Sequence, residues 1–321
     1  MGLAARLRAR TGSLIVDNFF RAIANAGRLH PQARPERHQV EVLHDLAYRD
    51  TGLVAHRLDV YRPRESTGPL PVVLYMHGGG FRILSKDTHW LMGLAFARRG
   101  YLVLNINYRL APAAPFPAAL EDAAAAFEWT VHNVERLGGD PSRLVLAGES
   151  AGANLAAALA VATCFSRPEP FARRVFDAGV VPRAVVPACG IFQVSGVERF
   201  SRRRRLAPWV QDRLDEVSRA YLGRARLDEP RALDLADPLV LLEREEAPAR
   251  ALPPFFLSVG TADPLLDDTR RLAAALERRG VPVEARYYPR EMHAFQALVF
   301  RRAARDCWQS TFAFLGRHGA V

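Results

Sequence analysis

The stretch "RLVLAGESAGANLA" (residues 143–156) decides the fold. It opens with a short apolar run of strand type and closes with an alanine-rich run of helix type. Between them a serine, Ser150, stands two residues from a glycine on either side, Gly148 and Gly152. Glycine inside a strand or helix costs about 0.5–1 kcal/mol against alanine, so a pair flanking one serine asks for a steric reason. A sharp strand-to-helix reversal supplies it: the neighbours must be small for strand and helix to approach. The turn then lifts the serine hydroxyl into the open at the top of a sheet.

Outward from this turn the chain alternates. Strands are expected at 39–48, 55–61, 71–76, 101–107, 143–148, 184–190, 254–260 and 283–289. Helices are expected at about 86–99, 117–137, 151–165, 264–279 and 298–316. Strands alternating with helices predict a mostly parallel sheet with helices on both faces. The ligand site of such a sheet lies beyond the carboxyl ends of its strands. Two segments break the rhythm, 1–38 and 191–236. Both read as helical, and both are expected to stack over the site as a cap.

A serine hydroxyl is a weak nucleophile until a base takes its proton. In this strand-turn-helix setting the base is a histidine held by an acid, in chain order serine, acid, histidine. His293 in "REMHAF" and Asp263 in "GTADPLLDD" both follow strand ends. Asp267 and Asp268 compete with Asp263, but they fall a turn into the next helix. The predicted triad is therefore Ser150, Asp263 and His293. The run "HGGG" (77–80) supplies backbone that a substrate oxygen can approach, and the expected oxyanion donors are the N–H groups of Gly78, Gly79 and Ala151. His77 is expected to be structural, its ring bonded within that loop.

Composition fits a chain that buries a core: 321 residues, 49% hydrophobic, read as one domain. The formal charge is +10, yet the chain has a single lysine, Lys86, and its arginines are spread along the whole length. No zinc-finger spacing or aromatic-basic signature accompanies them, so a nucleic-acid partner is not expected. The dense run Arg202 to Arg205 reads as a solvated rim. Cys164, Cys189 and Cys307 are odd in number and far apart, with no C-x-x-C, which fits a reducing compartment; a cytoplasmic location is expected. Near the N-terminus, Asp17, Asn18 and Arg21 break the apolar run too early for a signal peptide. Leu14, Ile15, Asn18, Phe19 and Ala22 instead recur at helical spacing. Met1-Gly2 lacks the serine or threonine that myristoylation needs, and no run reaches the length of a membrane span.

The whole set of motifs resembles the hormone-sensitive-lipase-like branch of the α/β-hydrolases, the bacterial carboxylesterases of that group. The resemblance runs from about residue 40 to the C-terminus. It rests on "LDVYRP" (58–63), "HGGGF" (77–81), "DTH" (87–89), "NYRLAPAAPFPAALEDA" (107–123), "GGDPSRLVLAGESAGANLA" (138–156), "DPL" (263–265) and "MHAF" (292–295). It implies an α/β-hydrolase fold with an eight-stranded sheet and a helical cap. It also implies hydrolysis of short- to medium-chain acyl esters through an acyl-enzyme, with no metal or organic cofactor. A small acyl ester is the expected partner, and a homodimer through the last strand and helix is expected by analogy. An amide or formamide hydrolase on the same site and a non-catalytic ligand-binding relative are the alternatives. The chain departs from the family's usual residues at Glu149, Leu84 and Ala153, which bears on substrate range.

Overall fold

The computed structural model describes residues 18, 22, 24–203, 206–223 and 231–320. Among them eight strands form one sheet: β1 (Val40–Ala47), β2 (Arg57–Pro63), β3 (Leu70–Met76), β4 (Leu102–Ile106), β5 (Gly139–Glu149), β6 (Ala184–Ala188), β7 (Phe255–Gly260) and β8 (Val283–Tyr288). Their order is β1-β2-β4-β3-β5-β6-β7-β8. β2 runs antiparallel to both of its neighbours, and every other pairing is parallel.

Period-two alternation explains why the central strands are apolar throughout. On β3, Val72, Leu74 and Met76 enter one core and Val73 and Tyr75 the other. β5 repeats this with Leu144 and Leu146 against Val145 and Ala147. Helices cover both faces: α1 (Trp90–Ala97), α2 (Ala118–Asn133), α3 (Ala151–Cys164), α4 (Pro170–Asp177), α5 (Arg199–Arg203), α6 (Pro208–Leu222), α7 (Pro238–Glu243), α8 (Leu266–Arg278) and α9 (Arg302–Arg317). α1 and α9 carry residues of the second core (Met92, Leu94 and Phe96; Phe314 and Leu315), whereas α2, α3 and α8 carry residues of the first. All five helices expected from sequence are present. The segment 86–99 divides into a 3₁₀ turn at Lys86–His89 and then α1. α4 and α7 are additional.

Of the two segments expected to form a cap, the one between β6 and β7 is described nearly throughout. Between β6 and β7 the chain forms α5 and α6, and α6 lies over the "HGGG" loop. A Cβ on Gly80 would stand 2.7 Å from Val217 Cγ2. The Phe81 and Tyr221 rings stack at 3.6 Å, Arg82 pairs with Glu216 at 2.7 Å, and the Phe116 N–H donates to the Tyr221 carbonyl at 2.6 Å. At the N-terminal end Leu14, Ile15 and Phe19 lie outside the described residues. Residues 24–28 are helical and touch the segment before α1: Trp90 Nε1–H donates to the Ala24 carbonyl at 3.1 Å. Arg202 is exposed, as a rim residue should be, while Arg204 and Arg205 lie outside the described residues. Among the described residues no helix is long and apolar enough to cross a membrane.

Candidate active site

The turn between β5 and α3 has the strain its sequence predicts. Ser150 sits at φ 54° and ψ −114°, a conformation that L residues rarely adopt. Its N–H donates to the Ala188 carbonyl at the end of β6 at 2.9 Å, which anchors the elbow to the next strand. The glycines are required by close approach. A Cβ on Gly152 would meet the Met76 carbonyl oxygen at 2.0 Å, and one on Gly148 the Gly152 carbonyl oxygen at 2.5 Å.

Asp263 and His293, from the loops after β7 and β8, come together. His293 Nδ1 lies 2.8 Å from Asp263 Oδ2. The other carboxylate oxygen accepts the Leu265 N–H at 2.8 Å, which fixes the acid's orientation. Burial works to lower the His293 pKa, but the Asp263 carboxylate overrides it and holds the imidazole well above its ordinary value. Asp268 is buried and engaged elsewhere: Arg199 donates to both of its oxygens at 2.7 and 2.8 Å, and the Gln193 N–H donates at 3.1 Å. Asp267 is partly exposed near Arg270. Of the three acids considered from sequence, Asp263 is therefore the one on the histidine.

The oxyanion loop differs from expectation at one residue. Gly78 faces inward: its nitrogen lies 3.3 Å from His89 Nε2, and a Cβ on it would lie 3.1 Å from Glu149 Oε1. The N–H groups of Gly79, Gly80 and Ala151 have no acceptor among the described residues. Gly79 adopts φ 114°, and its would-be Cβ lies 2.1 Å from the Ile83 carbonyl oxygen, so no other residue fits there. Gly80, the third glycine of "HGGG", was not among the donors expected from sequence. Leu84 is buried against Gly79 and shapes the same loop. His77 is structural as expected: Nδ1 lies 2.7 Å from the Gly78 carbonyl oxygen, the ring stacks on Tyr108 at 4.2 Å, and burial pushes its pKa down to about 3.

Two further residues border the site. The Cys189 thiol lies within 4.8 Å of both Asp263 and His293 donor atoms, and these three are the group among the described residues that could hold a metal ion. Glu149, beside the nucleophile, is buried and contacts His89 and Gln296. Within the "NYRLAPAAPFPAALEDA" motif, Arg109 grips the buried Asp122 with two bonds of 2.8 Å.

This geometry has relatives. The family described as having the alpha/beta hydrolase fold matches residues 73–297. The chain belongs to that family, in its hormone-sensitive-lipase-like carboxylesterase branch. Carboxylesterase NlhH of Mycobacterium tuberculosis is 33% identical over 259 residues, 79% of this chain and 76% of its own. An acetyl esterase of Salmonella paratyphi A is 31% identical over 225 residues, 69% of this chain and 64% of its own. Among solved structures, esterase LipW from Mycobacterium marinum superimposes with a TM-score of 0.73 at 27% identity, covering 100% of this chain and 95% of its own. A bacterial heroin esterase gives 0.76 at 25% identity, over 94% and 90% of the two chains. As an α/β-hydrolase of this branch, the chain is a carboxylic ester hydrolase.

Proposed function

We propose that this α/β-hydrolase cleaves short- to medium-chain acyl esters through an acyl-enzyme on Ser150. The observation that carries the reading is the 2.8 Å bond between His293 and Asp263, which follow β8 and β7, together with the strained Ser150 elbow after β5. In the proposed cycle His293 takes the Ser150 proton as the hydroxyl attacks the acyl carbon, then returns it to the leaving alcohol. Water, activated by the same imidazole, releases the acid. Asp263 orients the ring and stabilises its cation. The tetrahedral oxyanion is received by the unengaged N–H groups of Gly79, Gly80 and Ala151, the last at the amino end of α3 where the helix dipole adds to the attraction. Helices α5 and α6 act as the cap, and α6, resting on Gly80 through Val217, limits the room beyond the oxyanion loop.

Ser150→Ala tests the reading. With the fold intact by circular dichroism, turnover of an aryl acetate should fall roughly 10⁶-fold, as loss of a triad serine does elsewhere. A phosphonate ester should add mass to the Ser150 peptide alone. Activity of the variant within an order of magnitude of the parent would overturn the proposal. A panel of matched esters and amides of increasing acyl length would fix the substrate class.

A further inference from the structure

We propose that Glu149 is the positioning residue of this site: its buried carboxylate ties the oxyanion loop and the histidine loop to the nucleophile elbow. Glu149 ends β5 and is bonded directly to Ser150. Its Oε1 lies 2.9 Å from His89 Nε2, and the same ring nitrogen lies 3.3 Å from the Gly78 nitrogen. The place of a Gly78 side chain is filled by Glu149 itself. Its Oε2 accepts from Gln296 Nε2 at 2.7 Å. Gln296 follows His293 in the same loop, and its carbonyl accepts from Trp308 Nε1 at 3.1 Å, which ties that loop to α9.

The far ends of both arms are fixed. His89 Nδ1 lies 3.1 Å from the Ser85 carbonyl oxygen. Asn105 Nδ2 donates to the Lys86 carbonyl at 2.9 Å and approaches that of His89 at 3.4 Å. Lys86, also buried, pairs with Asp59 at 2.8 Å and Asp45 at 2.9 Å, so the turn bearing His89 is bolted to β2. One carboxylate thus bonds the His89 ring, which packs beneath Gly78 of the oxyanion loop, and Gln296 of the histidine loop.

A buried charge is expensive unless it is fully bonded, and an apolar side chain of the same size avoids the cost. Charge-assisted bonds are shorter than neutral ones and roughly twice as strong, and rigid placement of the oxyanion donors is where that strength has use. The charge also acts on the base. Burial works to raise the Glu149 pKa, but His89, His293 and Gln296 hold it below the usual carboxylate range, so the group is anionic at neutral pH. An anion facing His293 favours the imidazolium that forms during acylation. The other titratable groups facing Glu149 are Tyr75 and Tyr108, both kept neutral by burial. Besides Glu149, those facing His293 are Asp263 and Cys189.

The inference rests on Ser150 as nucleophile, and the test separates the two. In the wild type a phosphonate labels Ser150; absence of label there counts against the proposed function and leaves nothing for Glu149 to position. With labelling established, Glu149→Gln is assayed on an aryl acetate. Removing an oxyanion donor costs about 10²–10³ in rate, and a loosened hole loses less, so kcat should fall about 10- to 100-fold. KM should change little, because the acyl and alcohol pockets are untouched. The acid limb of kcat/KM should move to lower pH, since the imidazolium has lost a neighbouring anion; a purely structural role would leave it in place. Gln296→Met breaks only the histidine arm and His89→Gln only the oxyanion arm, and each should show a smaller fall in kcat. They carry the test if Glu149→Gln does not fold. Turnover within twofold of wild type with an unmoved acid limb overturns the proposal, as does a loss in Glu149→Gln that neither single-arm variant shares.

Discussion

At the elbow, a Cβ on Gly152 would reach within 2.0 Å of the Met76 carbonyl oxygen, and the contacts are backbone on backbone. In the helical segment between β6 and β7 the contacts are made by side chains, apolar ones such as Val217 and Tyr221 joined by long charged ones. Arg199 holds Asp268 with two bonds and also donates to the Gln193, Ser195 and Gly196 carbonyls; Arg82 holds Glu216. The first region tolerates almost no substitution and forms a rigid mould. The second is held largely by side chains, ion pairs together with apolar packing.

Asp263 and Asp268 sharpen the contrast, because they are neighbours in sequence, are both buried, and belong one to each region. Asp263→Asn should lower kcat about 10⁴-fold, since the amide favours the wrong imidazole tautomer, while thermal stability stays near wild type. Steady-state kinetics with a melting curve checks both. Arg199→Met should do the reverse. It leaves the Asp268 carboxylate buried without its main partner, at a cost of about 3 kcal/mol in denaturant unfolding. Turnover of a small acetate by the folded protein should stay within about tenfold, while selectivity for longer acyl chains shifts. If Arg199→Met removes acetate turnover as Asp263→Asn does, the two regions are not separable.

The next expected effect concerns pH. His293 acts as a base only when neutral, and Asp263 raises its pKa, so protonation persists to higher pH than for a free imidazole. In the free enzyme the acid limb of kcat/KM should therefore have its midpoint above about 6.5. A midpoint near 5 would contradict the geometry of the pair. The smallest effect is expected at Asp267, which is partly exposed and 3.9 Å from Arg270. Asp267→Asn should leave activity and stability within about 0.5 kcal/mol of wild type.

The same contrast explains what could be read from the sequence. The strands appear as short apolar runs because a parallel sheet covered on both faces has no polar side to show. The elbow and the "HGGG" loop appear because close approach leaves glycine as the sole choice. Asp263 could be preferred over Asp268 from its place at a strand end, yet only the structure shows what occupies Asp268. Gly78 and Gly80 could not be told apart, since adjacent glycines differ only in where their N–H groups point. The partners of Glu149 were hidden by distance: His89 is 60 positions away and Gln296 is 147. Nothing in the sequence pointed to the Arg199 pairing, because a charged residue announces nothing about an acid 69 positions on.

Lys86 carries a practical consequence. It is the chain's one lysine, 2% exposed and ringed by Asp45, Asp59 and Asp87. Reagents that acylate primary amines therefore find no side chain to attack on the folded protein. Attachment through amines to a bead or a dye is confined to the chain terminus, and glutaraldehyde cross-linking should be poor. The moment at which Lys86 becomes reactive marks the opening of the turn that holds His89. Amine labelling read by peptide mass is thus a built-in reporter of when this corner of the enzyme comes apart.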